Sequence, residues 1–323
     1  MDLKSAVLYI GKILEPGGTP VDRACLTKYL DRMEVGPTGL ETTLRSLVAA
    51  GDMTESDGGV FRLTDRGREK ADIIWVEYQR DHYNQFMMRI WHSRAYLDFC
   101  EDLYGYRWCL LNSLYKEQFG HLFHELEIGP NDTVLDVGCG SGAIVSNLVG
   151  TYGCRGIGID IARDLISVVK ECYATVAFHS LEIERMHEAP FDADVIIGID
   201  SLYACRDLAA VVAGLKERCR RQMYMFYTET VDDEHGDRSL LHVDGTNIAR
   251  AFQANDLDYS ALDFSADEWN LWNREKAILE KHRPAFEKEG NLKIWEGRVA
   301  DTEGMLKLFG DTRAVRYLYK VTV

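Results

Sequence analysis

The stretch VLDVGCGSGAI, residues 134–144, decides the architecture of this chain. An apolar strand ends in Asp136, and Gly138, Gly140 and Gly142 follow before an apolar helix begins. Glycines at those points let the backbone turn sharply and pass close to a ligand. A second strand, GIGID (156–160), ends in another acid, Asp160, 18 residues beyond Gly142. In a doubly wound sheet two such strand ends lie side by side where the strand order reverses, and a ligand occupies that crevice. An acid there can accept both hydroxyls of a ribose.

Strand and helix alternate onward from Thr133, which predicts a parallel sheet with helices on both faces. The strands fall at 133–137, 156–160, 175–179, 194–199 and 222–228, with helices near 142–150, 163–173 and 207–219. Beyond Thr228 the pattern predicts a helix over 246–254, a strand over 259–264, a long amphipathic helix over 267–289 and a closing strand, RYLYKVTV. The segment 265–309 is longer than the sheet needs. Its charge pattern reads as a solvated helix packed on one face, or as a cap or dimer contact.

Ahead of the sheet, residues 1–71 read as three helices and a hairpin. Leu3, Ala6, Val7, Ile10 and Leu14 recur at helical spacing, as do Leu40, Leu44, Leu47 and Val48. The turn Ser56-Asp57-Gly58-Gly59 precedes the alternating Val60-Phe61-Arg62-Leu63-Thr64. Three helices and a two-stranded wing describe a winged helix. Residues 72–128 are aromatic and helical, a linker or lid, and 129–323 form the ligand-binding domain.

The chain has 323 residues, 46% of them hydrophobic, enough for two cored domains. Its 37 basic and 52 acidic residues leave a net charge of −15, which argues against nucleic acid and anionic membrane as partners. Residues 1–70 hold 10 bases and 11 acids, and the segment placed to read DNA, 39–50, has only Arg45 against Glu41. That is a poor DNA reader, although Arg62, Arg66 and Arg68 crowd the wing. No apolar run reaches the roughly 18 residues that span a bilayer. Eight scattered cysteines without a regular framework point to reduced thiols in the cytoplasm. His121 and His124, with Cys100 and Cys109, are too loose a set to hold a metal.

The segment 134–144 resembles motif I of the class I S-adenosylmethionine-dependent methyltransferases, and residues 120–230 are similar to that family. The resemblance implies a Rossmann-like α/β sheet of seven strands behind the winged helix, and S-adenosylmethionine as cofactor. It places Asp136, Gly138, Cys139, Gly140 and Gly142 at the amino acid end of the cofactor. Asp160 falls at the ribose, Ile161, Leu181 and Glu182 at the adenine, and Ile199 with Asp200 at the methionine portion and methyl group. Gly138-x-Gly140-x-x-Ala143 also fits a relaxed dinucleotide pattern. The full G-x-G-x-G spacing, the acid two residues before it and the DVIIGID segment favour S-adenosylmethionine.

Methyl transfer from a sulfonium is an in-line displacement, so the protein must exclude water, align the reactants and, where needed, remove a proton. Asp200, Tyr203, Tyr227 and Glu229 stand at strand ends as catalytic candidates. Tyr104, Tyr106 and Trp108 are candidates for a substrate lid, and His179, His235 and His242 are further possible bases. The bland alternatives are a helix cap for Asp200, core tyrosines, and a solvated Glu229.

The stretch LETTLRSLVAAGDMTESDGGVFRLTDRG looks like the N-terminal domain of small-molecule O-methyltransferases, which implies a homodimer. The catalytic histidine of that family, in an H-D-W context, is missing: Arg206-Asp207-Leu208 follows DSLYAC. Carbon, nitrogen and sulfur acceptors therefore stay open. Cyclisation or elimination chemistry in the same pocket, and a cofactor-sensing winged-helix regulator, are the alternatives to methyl transfer to a small molecule.

Overall fold

Ala6, Val7, Ile10 and Leu14 form the buried stripe of α1 (Leu3–Leu14) in a computed structural model. The structure describes residues 1–14, 21–33, 35–56, 58–112, 114–203, 205–231 and 236–323, so Asp57 of the expected turn and His235 lie outside the described residues. The chain divides into two units, Met1–Tyr83 and Asn84–Val323.

In the first unit α2 (Arg23–Arg32) starts where Asp22 accepts the Cys25 amide at 2.7 Å. α3 (Leu40–Ala49) buries Leu44 and Leu47, as its spacing predicts. β1 (Met53–Glu55) and β2 (Phe61–Leu63) pair antiparallel, and α4 (Asp65–His92) follows and contains the division between the units. Three helices and a ribbon thus appear in the expected order. Asp52 is completely buried but receives Lys70 at 2.7 Å and Arg66 at 3.2 Å, so its charge is compensated.

In the second unit, α5 (Arg94–Tyr104) and α6 (Lys116–Glu125) precede an alternation of strand and helix. It runs β3 (Thr133–Val137), α7 (Ala143–Tyr152), β4 (Arg155–Asp160), α8 (Arg163–Cys172), β5 (Val176–Ser180), β6 (Ala193–Ile199), α9 (Leu208–Arg218) and β7 (Cys219–Thr230). Then come α10 (Asn247–Ala254), β8 (Asp258–Asp263), α11 (Ser265–Glu289), α12 (Leu292–Gly310) and β9 (Ala314–Thr322). The seven strands lie in the order β5-β4-β3-β6-β7-β9-β8, and β9 alone runs against its neighbours. β3 is buried along its whole length because helices cover both faces, which is why it reads as a continuous apolar run. The strand order reverses at β3, whose neighbours are β4 and β6.

The C-terminal segment departs from expectation. The region reads as one solvated helix, yet α11 and α12 form a hairpin that buries Glu268, Glu275, Arg298 and Thr302 along with Trp272 and Phe286. Glu275 pairs with Arg298 and accepts the Thr302 hydroxyl at 3.2 Å. Charges that satisfy one another across a helix pair look like solvated charges in a sequence pattern.

Candidate active site

Between β3 and α7 the backbone passes through three left-handed residues, Gly138, Gly140 and Gly142, at φ 76°, 49° and 69°. Two of them must be glycine on steric grounds as well. A Cβ on Gly138 would meet the Ser201 Cβ at 2.3 Å, and one on Gly142 would meet the Phe178 ring at 2.4 Å. The turn is tied to the end of β4. The Ile159 carbonyl accepts the amides of Gly138 and Cys139, both at 2.9 Å. The Asp160 carboxylate accepts Gly140 N–H through Oδ2 and Ala162 N–H through Oδ1, each at 2.8 Å. Asp160 therefore shapes the loop from the end of β4.

Asp136 is 2% exposed, and its Oδ2 has no hydrogen-bond partner. Burial, reinforced by the charge of Asp160, pushes its carboxyl up to about 8. Ser141 Oγ on the loop and Ser201 Oγ against Gly138 are likewise buried and unpartnered. An unmet buried polar atom costs roughly 1–3 kcal/mol. Their gathering around one glycine turn at the switch point marks a place that a polar ligand completes. Ile161, Leu181 and Glu182 stand half-buried just beyond β4 and β5, and the buried Cys139 sits within the turn.

The far wall begins at Ile199, buried at the end of β6, and Asp200, whose φ of 54° is left-handed. Such a conformation in a residue with a side chain is uncommon and is held by its surroundings. Here Arg316 holds it, donating to Oδ1 at 2.7 Å and Oδ2 at 2.9 Å. Arg316 is 1% exposed, donates to Thr228 Oγ1 at 2.8 Å, lies 3.3 Å from Glu268 and covers the Phe226 ring. Glu268 accepts from Gln118 at 2.7 Å and Trp272 at 3.0 Å, and burial outweighs these partners to push its carboxyl up to about 7. The Tyr203 hydroxyl donates to Asp200 Oδ1 at 2.5 Å and accepts Thr228 N–H at 2.9 Å. The Tyr227 ring packs on that of Tyr203. Asp200 is thus neither a simple helix cap nor a free base: it is a fixed anion inside an ionic cluster.

Glu229 is buried and accepts both the amide and the side-chain N–H of Asn247, at 2.7 and 3.1 Å, at the start of α10. Tyr104 is fully buried with its hydroxyl on the Asn112 carbonyl at 2.7 Å. Tyr106 and Trp108 stack at 4.2 Å beside Phe119 of α6. His179 packs on Phe191, and burial lowers its affinity for a proton. His121 lies edge-on to Phe264, and no group of three metal-binding side chains occurs among the described residues.

Sequence reasoning missed several members of the site. Arg316, Glu268 and Ser201 are among them. So is the end of α4, where Asn84 exchanges two hydrogen bonds with Asp164 at 2.7 and 2.9 Å, and where Met87 stands 3.5 Å from the point a Gly140 Cβ would occupy.

Residues 128–282 match the family model of a methyltransferase domain. A stretch of 90 residues, 28% of the chain, is 31% identical to the H3 lysine-79-specific histone-lysine N-methyltransferase of Dictyostelium discoideum, and spans 4% of that protein. Among solved structures, the cyclopropane synthase MmaA2 of Mycobacterium tuberculosis is similar with a TM-score of 0.58, covering 72% of this chain and 95% of its own at 11% identity. A phosphoethanolamine N-methyltransferase of Haemonchus contortus, solved with S-adenosylhomocysteine, has a TM-score of 0.57, covering 75% of this chain and 59% of its own at 13% identity. At these identities the structural likenesses speak to the fold.

Proposed function

We propose, from the match of residues 128–282 to a methyltransferase domain, that this chain uses S-adenosylmethionine to methylate a small-molecule acceptor by in-line displacement. The observation that carries the reading is the unpartnered Asp136 Oδ2 beneath the glycine turn at the switch point. The residues fit the cofactor. Asp136 would take its ammonium, Asp160 its ribose, and Ile161, Leu181 and Glu182 its adenine. When bound, S-adenosylmethionine supplies an electrophilic methyl on a sulfonium. The chain's own part is to orient and to exclude water. Asp200, neutralised by Arg316 and fixed by Tyr203, keeps the wall at the end of β6 in one place. A proton on the acceptor would pass to the Glu229 carboxylate, or to Asp200 through the Tyr203 hydroxyl that donates to it; Tyr227, whose hydroxyl burial keeps protonated, would orient the acceptor.

The first 71 residues fit a winged helix that pairs two copies, with Tyr106 and Trp108 as a substrate lid. All eight cysteines are free, five of them buried, which suits a cytoplasmic protein. No helix among the described residues is long and apolar enough to cross a membrane.

Titration with S-adenosylhomocysteine tests the reading. No heat with that compound, beside clean binding of a nicotinamide or flavin nucleotide, overturns it. Turnover with a panel of small acceptors is expected to release S-adenosylhomocysteine; methylthioadenosine instead would mark a reaction other than methyl transfer.

Asp136 gives this binding a pH dependence. Its carboxyl holds a proton up to about 8 in the free chain, and it must ionise to meet an ammonium. Binding then releases about one proton below that pH, so affinity rises with pH by up to about tenfold per unit and levels off above about 8. Calorimetry in buffers of different ionisation enthalpy reads the proton directly. In Asp136→Asn the slope should vanish; an unchanged slope would remove Asp136 from the ligand.

A further inference from the structure

A cavity of about 520 Å³ opens between the turn Arg238–Leu241, the start of α11 and the start of β9. Ala314, where β9 begins, pairs with Thr230 at the end of β7, so the cavity lies at the same edge of the sheet as the glycine turn and Asp200. Its size suits a small-molecule ligand. Its walls are mostly apolar, from Leu241, Trp269, Phe309, Ala314 and Val315. Trp269 is 45% exposed, uncommon for so large an apolar side chain, and lies across Gly310, where a Cβ would come within 2.9 Å of the ring.

The cavity also has a guanidinium that no acid among the described residues pairs with. Arg238 donates to the carbonyl and hydroxyl of Thr312 at 3.0 and 3.2 Å and meets no carboxylate among the described residues. The nearby arginines differ: Arg250 pairs with Asp237, Arg313 with Asp311 and Arg316 with Asp200. Thr312, which orients Arg238, holds φ 52°, a conformation that β-branched residues avoid. The residues that line it are distinct from those of the candidate active site, although they adjoin Arg316 in the chain and through its backbone. Ser265 lines it and accepts the Arg316 amide at 2.9 Å, and Val315 precedes the arginine that grips Asp200.

We infer that this cavity is a binding site for an apolar molecule bearing one anionic group. The apolar body lies against Trp269 and Phe309, and the anion meets Arg238. The chemistry of this ligand rests on the cavity alone and goes beyond the methyl-transfer reading.

Calorimetric titration of naphthalene-2-carboxylate and its uncharged amide into the full chain, without cofactor, tests this. The acid is expected to bind about tenfold tighter than the amide, the effect of one charge-assisted contact. Arg238→Met should erase the preference and leave the amide's affinity intact. Trp269→Ala should weaken both probes and keep the preference. Failure of both probes to bind, equal affinities in the wild-type chain, or a preference that survives Arg238→Met overturns the inference. A parallel titration with S-adenosylhomocysteine separates the two readings. Its binding without an acid preference sinks the cavity and spares methyl transfer, whereas an acid preference without its binding does the reverse.

Discussion

Replacing Arg316 with methionine is expected to remove about 3–5 kcal/mol of stability, the usual cost of stranding a buried charge. The guanidinium is 1% exposed and makes two bonds to Asp200, one to Thr228 and an ionic contact with Glu268. Methionine fills much of the space but removes the counter-charge of Asp200, to which the Tyr203 hydroxyl still donates. Glu268 can relieve its share by taking a proton, because burial already lifts its carboxyl to about 7. Arg316 is one of the influences lowering that value, so the variant's Glu268 titrates higher still. The loss in Arg316→Met should therefore be smaller at pH below about 6 than above about 8. Adding Asp200→Asn should restore part of the stability, because it removes the orphaned charge. Urea unfolding of the four members of this cycle gives the coupling directly. Additive effects would show that the two residues do not act as a pair.

The second large effect is expected at Gly142. An alanine there meets two separate penalties: a left-handed backbone at φ 69° and a Cβ 2.4 Å from the Phe178 ring. The first costs about 1–2 kcal/mol and the second about 1–3 kcal/mol. Gly153 isolates the first, since it has φ 68° and its nearest neighbour would be the Pro130 Cβ at 3.9 Å. Gly153→Ala should thus lose only the smaller amount and bind cofactor normally, while Gly142→Ala should lose about ten- to a hundredfold in cofactor affinity as well. Trimming Phe178 to leucine in the Gly142→Ala background should recover the steric part. Equal unfolding midpoints for Gly142→Ala and Gly153→Ala would show that the contact with Phe178 carries no weight.

What could be read from the residues follows from how local each signal is. Asp136 and the glycines announce themselves because an acid ending an apolar strand has no packing role, and because helix and strand cannot meet so sharply without glycine. The parallel strands are legible as short apolar runs, buried on both faces. Arg316 is hidden for the opposite reason. In RYLYKVTV an arginine among aromatics looks like an ordinary solvent-facing position of a half-buried strand, and its partner lies 116 residues away. Asp200 is visible as a polar residue at a strand end, but its backbone conformation and its ionic company are products of packing. The same holds for α12, whose Gly297, Gly304 and interspersed charges obscure a helix that buries Arg298 against Glu275. The N-terminal boundary is blurred because α4 runs through it without a break.

The position of β9 within the sheet bears on how the molecule is assembled during translation. β9 is made after β8 yet separates it from β7, and among the described residues it is the strand that β8 pairs with. Until residues 314–322 leave the ribosome, β8 has no ladder to join, and the anions at positions 200 and 268 wait for the cation that β9 delivers. The half built on β3, β4 and β5 can form early from consecutive units, whereas the wall at the end of β6 closes later. A nascent chain stalled a few residues short of that strand would display an open sheet edge and two uncompensated carboxyls, the kind of intermediate that chaperones retain.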